Sequence, residues 1–246
     1  MSSTIKVNSI EPEGATTTLT IGKSGGDIII DADSVKTNVL KDGGSNAIFT
    51  SDGSGNLSGV NTAFGSAYKL VGSTTVSSDT AFIAFGSSVI TASYKEYVFR
   101  IHGLRPATDN VHLQWNFSGN NGSPYSALNK TGSYGVASVA EAGSGGSMGV
   151  DDGLDSANTT DNANLCEMVG NDADQSCSGE INLQNPLSTT YYRMFHARFF
   201  SMKGNDYIHD TYTSGGISNG TACDYVRFLF SSGDIASGTI SVWGIA

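Results

Sequence analysis

The chain has 246 residues, a length for one or two domains. Charged residues make up 15% and the net charge is −10. With 13 Lys and Arg and no basic cluster, an electrostatic footprint for nucleic acid and a polybasic membrane patch are both excluded. The chain has 31 Gly and 38% hydrophobic residues, which is too apolar for disorder and too glycine-rich for a helical protein, and predicts short strands joined by many turns.

The stretch MSSTIKVNSIEPEG has no apolar run of signal-peptide type, and no run further on is long enough for a membrane span. The expectation is synthesis in a cytosol and no membrane insertion. Composition shifts near residue 66. Of the 23 aromatic residues only Phe49 and Phe64 precede that point, and all four histidines and both tryptophans follow it. Residues 1–66 hold very short strand-like pieces, TIKVNSI (4–10), TLTIG (18–22), DIIID (27–31), VKTNVL (35–40) and AIFT (47–50). Turn signals such as KSGGD and KDGGSN separate them. Apolar residues are too few there to enclose a core. Such a segment gains a core by winding with copies of itself, most simply as a homotrimeric β-fibre. The run Ile28, Ile29 and Ile30 argues against a solvated tail.

Residues 67–246 read as one all-β head domain. Tyr97, Phe99 and Ile101 alternate with Arg100 and His102, and Val111, Leu113, Trp115 and Phe117 with His112, Gln114 and Asn116. A period of two marks half-buried antiparallel strands. Further strands are expected at 80–85, 179–184, 190–200, 224–231 and 239–243. RPATD (105–109) reads as a turn, SSGDIASG (231–238) as a hairpin loop, and 141–161 as a long polar loop. This number of strands predicts an antiparallel, jelly-roll-like β-sandwich.

Candidate chemistry follows from the polar residues. Neighbouring strands would bring His102 and His112 near one another across a ladder, yet no GxSxG accompanies them. Asp151, Asp152, Asp155, Asp161, Asp172 and Asp174 lie in turn-rich loops, where side chains that bond to nearby backbone explain them better than a carboxylate pair or a calcium loop does. Cys166, Cys177 and Cys223 form an odd set without CxxC, which predicts buried free thiols. Within GNDADQSCSGEINLQNP (170–186) the reading is a polar turn, then a strand with Ile181 and Leu183 inward, ended by Pro186. No catalytic residue, metal ligand or cofactor is assigned, and the chain is expected not to be an enzyme. Tyr125, Tyr134, Tyr207 and Tyr212 sit in polar contexts such as NGSPYSA and KGNDYIHDTYTSGG. They are the candidate receptor contacts, aromatic platforms for a host surface glycan.

Three segments also carry a family resemblance. YKEYVFRIHGLRPATDN, GNDADQSCSGEINLQNPLSTTYYRMFHARF and VRFLFSSGDIASGTISVWGI resemble a domain of marine tailed-bacteriophage tail fibre and virion structural proteins. TIKVNSIEPEGATTTLTIG resembles the opening of such fibres. The resemblance implies a virion appendage assembled in the host cytoplasm. Its thin N-terminal segment would attach to other virion structural proteins, and its distal head would recognise the host. The alternative it leaves open is a capsid decoration or head-fibre protein without a receptor role.

Overall fold

A computed structural model describes residues 39–41, 47–51, 54, 57–60, 67–123, 125–143, 145–218 and 220–245. The chain divides into two compact units, Met1–Phe64 and Gly65–Ala246. In the first, β1 (Val39–Lys41), β2 (Ala47–Ser51) and β3 (Leu57–Val60) form an antiparallel three-stranded sheet in chain order. The pieces expected at 4–10, 18–22 and 27–31 lie outside the described residues.

The second unit is all-β, with no helix among the described residues. Its strands are β4 (Tyr68–Val76), β5 (Ile83–Phe85), β6 (Glu96–Pro106), β7 (Val111–Ser118), β8 (Lys130–Ala140), β9 (Ser147–Val150) and β10 (Ser156–Thr159). There follow β11 (Ala163–Val169), β12 (Cys177–Gln184), β13 (Arg193–Met202), β14 (Tyr207–Ile217), β15 (Tyr225–Phe230) and β16 (Ile235–Ile245). One sheet has nine strands, in the order β10-β8-β14-β13-β12-β6-β16-β4, with β9 also paired to β8. The other has four, β11-β7-β15-β5. Every pairing in both is antiparallel.

The two sheets share one core. β6 and β12 contribute Tyr97, Phe99, Ile101, Leu104, Ile181 and Leu183 from the large sheet, and β7 and β15 contribute Leu113, Trp115, Phe117, Val226 and Phe228 from the small one. Rings meet across the gap, Phe99 with Phe228 at 5.5 Å and Trp115 with Phe195 at 4.9 Å between centroids. The alternation read at 97–101 and 111–117 therefore marks the two facing layers of the sandwich. The layers are unequal, nine strands to four, and β11 at the edge of the small sheet packs over β13 and β14.

Three expectations need correcting. First, β6 and β7 are not neighbours in a ladder. β6 belongs to the nine-stranded sheet and β7 to the four-stranded one, so the turn after Pro106 carries the chain between layers. The same holds for residues 231–234, which link β15 to β16 across layers and are not a hairpin loop. Second, the segment 141–161 is not one loop, since β9 and β10 lie within it, both paired to β8. Third, β8 and β14 run for eleven residues each through segments read as polar. Their inward positions include Thr211 and Thr213, whose hydroxyls do not register as apolar periodicity.

Candidate functional site

An antiparallel sheet that faces water on one side presents polar residues there. The outward face of the nine-stranded sheet departs from that rule. In β13, Arg193, Phe195, Ala197 and Phe199 point into the sandwich, while Met194, His196, Arg198 and Phe200 point out. Phe200 is 50% exposed. Outward neighbours from β14 and β8 are Ile208, Tyr212 and Val139, and β9 adds Met148 at 77% exposed and Val150. Towards the other edge, β4 presents Tyr68 and Leu70.

Charges on this face are matched. Arg198 Nε and Nη2 donate to Asp210 Oδ1 and Oδ2 at 2.9 and 2.6 Å, a bidentate pair. These bonds hold the Asp210 carboxyl below its ordinary range. The Arg198 guanidinium lies 5.1 Å from the Phe200 ring centroid. Further across, Arg100 Nε donates to Glu180 Oε2 at 2.9 Å and stands 5.8 Å from the Trp243 ring.

At one end of this face lies an open groove of about 690 Å³. Its walls include Tyr192, Met194, Asp155, Thr131 and Ser133, and its floor is Gly132, Gly215 and Gly216. Gly216 shapes it. A Cβ on Gly216 would stand 3.2 Å from Met194 Sδ and 3.3 Å from the Tyr192 ring, so its absence lets both side chains lie close over the backbone. Asp155 is fixed by one oxygen, since Oδ1 accepts from the Tyr134 amide at 2.6 Å. A ring beside hydroxyls and a carboxylate suits a polyhydroxylated ligand. The apolar face of a sugar stacks on the ring, and its hydroxyls bond the polar groups.

The four tyrosines expected in loops divide. Only Tyr125 is in a loop, and it is half-buried under Arg227, whose guanidinium carbon is 3.7 Å from the ring centroid. Burial pushes its hydroxyl up to about 12. Tyr134 is in β8 and fully buried, so it lies away from the surface. Tyr207 and Tyr212 are in β14, Tyr207 half-buried and Tyr212 exposed. The Tyr212 ring lies flat over Gly135 of the adjacent strand, in the space a side chain there would take. These misplacements share a cause: glycine and serine beside a tyrosine signal a turn in isolation, yet in a sheet they make room for the ring. Tyr192 and Met194, which line the groove, had gone unmarked. The alternation through RMFHARFF was the available signal, since it sets large side chains on both faces of one strand.

The histidines separate with their strands. His102 is exposed, whereas His112 is half-buried and burial lowers its pKa. His209, buried on β14, has Nδ1 at 3.2 Å from Glu167 Oε1, and that contact lowers the Glu167 pKa. Acidic residues of the loops turn back on their own backbone or nearby hydroxyls. Asp151 Oδ1 accepts from the Gly153 amide at 3.0 Å, and Asp161 Oδ2 from the Thr159 hydroxyl at 2.8 Å. No group of three metal-ligating side chains occurs among the described residues.

No protein-family model, no curated protein and no solved structure matches the chain.

In GNDADQSCSGEINLQNP, the corner and strand lie where expected. The Gln175 amide donates to Asp172 O at 3.0 Å, and Ile181 and Leu183 are buried. Gln175 was not anticipated. It is buried, and its Nε2 donates to Asp206 Oδ1 at 3.2 Å, which ties this corner to the β13–β14 turn. Cys177 has a neighbour that sequence could not show. The Cys166 thiol from the opposite sheet bonds it and, with burial, raises the Cys177 pKa well above the ordinary value. Burial raises Cys223 to about 12. All three thiols are free and buried. A thiol needs its thiolate to react. Iodoacetamide at pH 8 should therefore leave Cys177 and Cys223 unmodified in the folded chain for hours, yet label all three within minutes in urea. Rapid native labelling of Cys177 would show a reactive, exposed thiol instead.

Proposed function

We propose that the chain is a bacteriophage virion fibre protein, a tail fibre or receptor-binding protein that recognises the host cell surface. It works as a homotrimer. Residues 1–66 join the copies and attach them to other virion structural proteins, and residues 67–246 carry recognition. The mechanism is binding without turnover. The observation that supports this most is the groove bounded by Tyr192, Met194, Asp155 and Thr131, with its glycine floor. A surface glycan is the ligand class that fits a tyrosine ring set among hydroxyls and one carboxylate. Each such contact is weak, and three heads on a fibre multiply it through effective concentration.

The test is binding of purified chain to arrayed bacterial surface polysaccharides, beside the Tyr192→Ala variant. Tyr192 is exposed, so the variant keeps the fold. The expected result is retention of the wild type on at least one polysaccharide and a loss of about tenfold or more in the variant, the effect of removing a stacking ring worth about 1.4 kcal/mol. Equal retention of both proteins would rule out the groove. No retention on any polysaccharide would favour a capsid decoration protein without a receptor.

A further inference from the structure

We infer that the outward face of strands β9, β8, β14 and β13 is covered by a second copy of this chain. The inference rests on the homo-oligomeric part of the proposed function and names the contact that part needs.

Six large side chains make the surface: Met148, Val150, Val139, Ile208, Phe200 and Tyr212. They come from four adjacent strands and lie on one side of the sheet by register, Val150 against Gly135, Gly135 against Tyr212, Ile208 against Val139, and Phe200 against Asp210. A contiguous apolar patch of this kind on a solvated protein marks a contact surface. It runs out to β9, an edge strand of four residues, all exposed. An uncovered edge next to an apolar face invites uncontrolled association, and a permanent partner removes that hazard.

Charge points to a copy of the same chain. The chain carries a net charge of −10, so two copies repel over most of their surfaces. This face is the exception. Its Arg198 and Asp210 neutralise each other, as do Arg100 and Glu180. A strongly basic or acidic partner finds no charge to answer there, whereas an identical acidic chain meets no repulsion. Apolar, charge-matched faces are the kind that permanent homo-oligomers bury.

The contact leaves the groove open. Phe200 stands six residues along β13 from Met194, about 20 Å at strand rise. A copy seated on the Phe200 end does not close over Tyr192. Tyr212, first read as a receptor contact, becomes a subunit contact in this arrangement.

The test is oxidation of Met148 by hydrogen peroxide in the purified full chain, read by mass spectrometry of its peptide. The control is the Val150→Glu, Ile208→Glu double variant. Both positions are exposed, and silence of the three buried thiols toward alkylation verifies its fold. The expected result is oxidation at least tenfold slower in the wild type than in the variant, with protection lost on dilution as copies separate. Equal rates in the two proteins would overturn the inference. If light scattering gives an oligomer while Met148 reacts freely, this contact is wrong and the oligomeric reading stands. If the wild type is monomeric, both fall.

Discussion

Replacing Trp115 with alanine should unfold the second unit under mild conditions. The indole is fully buried between the two sheets. It meets Phe117 at 4.4 Å and Phe195 at 4.9 Å edge-on, and stacks on Phe228 at 6.1 Å. Truncation removes that burial and leaves a cavity whose walls are β-strands locked in two ladders, so collapse is limited. Such losses run at about 3–5 kcal/mol, against a total stability of about 5–15 kcal/mol for a domain. The urea midpoint, followed by tryptophan-independent circular dichroism, should fall by more than about 1 M, given a slope of about 1–3 kcal/mol per molar. Trp115→Phe should lose far less. Its smaller ring fits the same slot, and the indole Nε1 donor is buried without an acceptor among the described residues. That orphan donor disappears with the substitution. Equal losses for alanine and phenylalanine would show that the site does not depend on ring packing.

Lys130 sets up a second large effect, one that varies with pH. Its side chain is 1% exposed, and Nζ donates to Asn116 Oδ1 at 3.0 Å and to the Thr159 carbonyl at 3.5 Å. Among the described residues no carboxylate bonds it. Burial lowers its pKa to about 8 from an ordinary 10.5. Between these two values the unfolded chain holds a proton that the folded chain has released, so this group makes stability rise with pH across that window. Below pH 8 both states carry the charge, and the folded state bears the full penalty of burying it. That penalty is about 3 kcal/mol, at about 1.4 kcal/mol per pKa unit. Cys177 and Cys223 act in the opposite sense above pH 9, because their raised values keep them protonated in the fold while the unfolded thiols ionise. The whole-chain profile mixes both, so the difference between wild type and Lys130→Met isolates the lysine. The methionine variant should equal or exceed the wild type at pH 7, and that advantage should shrink by about 3 kcal/mol between pH 8 and 10.5. Asn116 keeps other partners, since its Oδ1 also accepts from the Phe117 amide and its Nδ2 donates to Asn162 Oδ1. A variant advantage that does not change with pH would mean the lysine is charged and comfortable in the fold.

How far the fold could be read ahead varies by strand. β7 was legible because large apolar residues alternate with polar ones over seven positions, and β6 because Phe99 and Ile101 alternate with Arg100 and His102. β13 and β15 were legible as dense runs of large side chains, RMFHARFF and YVRFLF. β8 and β14 were not, because Lys130, Tyr134, His209, Thr211 and Thr213 fill buried inward positions without registering as an apolar period. Which layer a strand joins was hidden altogether. The turns after Pro106 and Phe230 have the chemistry of hairpin loops, and only the packing of distant strands decides that they cross between sheets. The exposed apolar patch was hidden for a related reason. Phe200, Ile208 and Tyr212 look like core residues or loop residues one at a time. They form a patch only when the register of β13 on β14 sets them side by side. The thiol pair shows the same limit: Cys166 and Cys177 come together across the two sheets, and no local spacing announces it.

The most direct test of the account is the mass of the full chain in solution by multi-angle light scattering at micromolar concentration. A homotrimeric fibre predicts three times the 25.5 kDa of one chain. A species at 25.5 kDa under these conditions would contradict it.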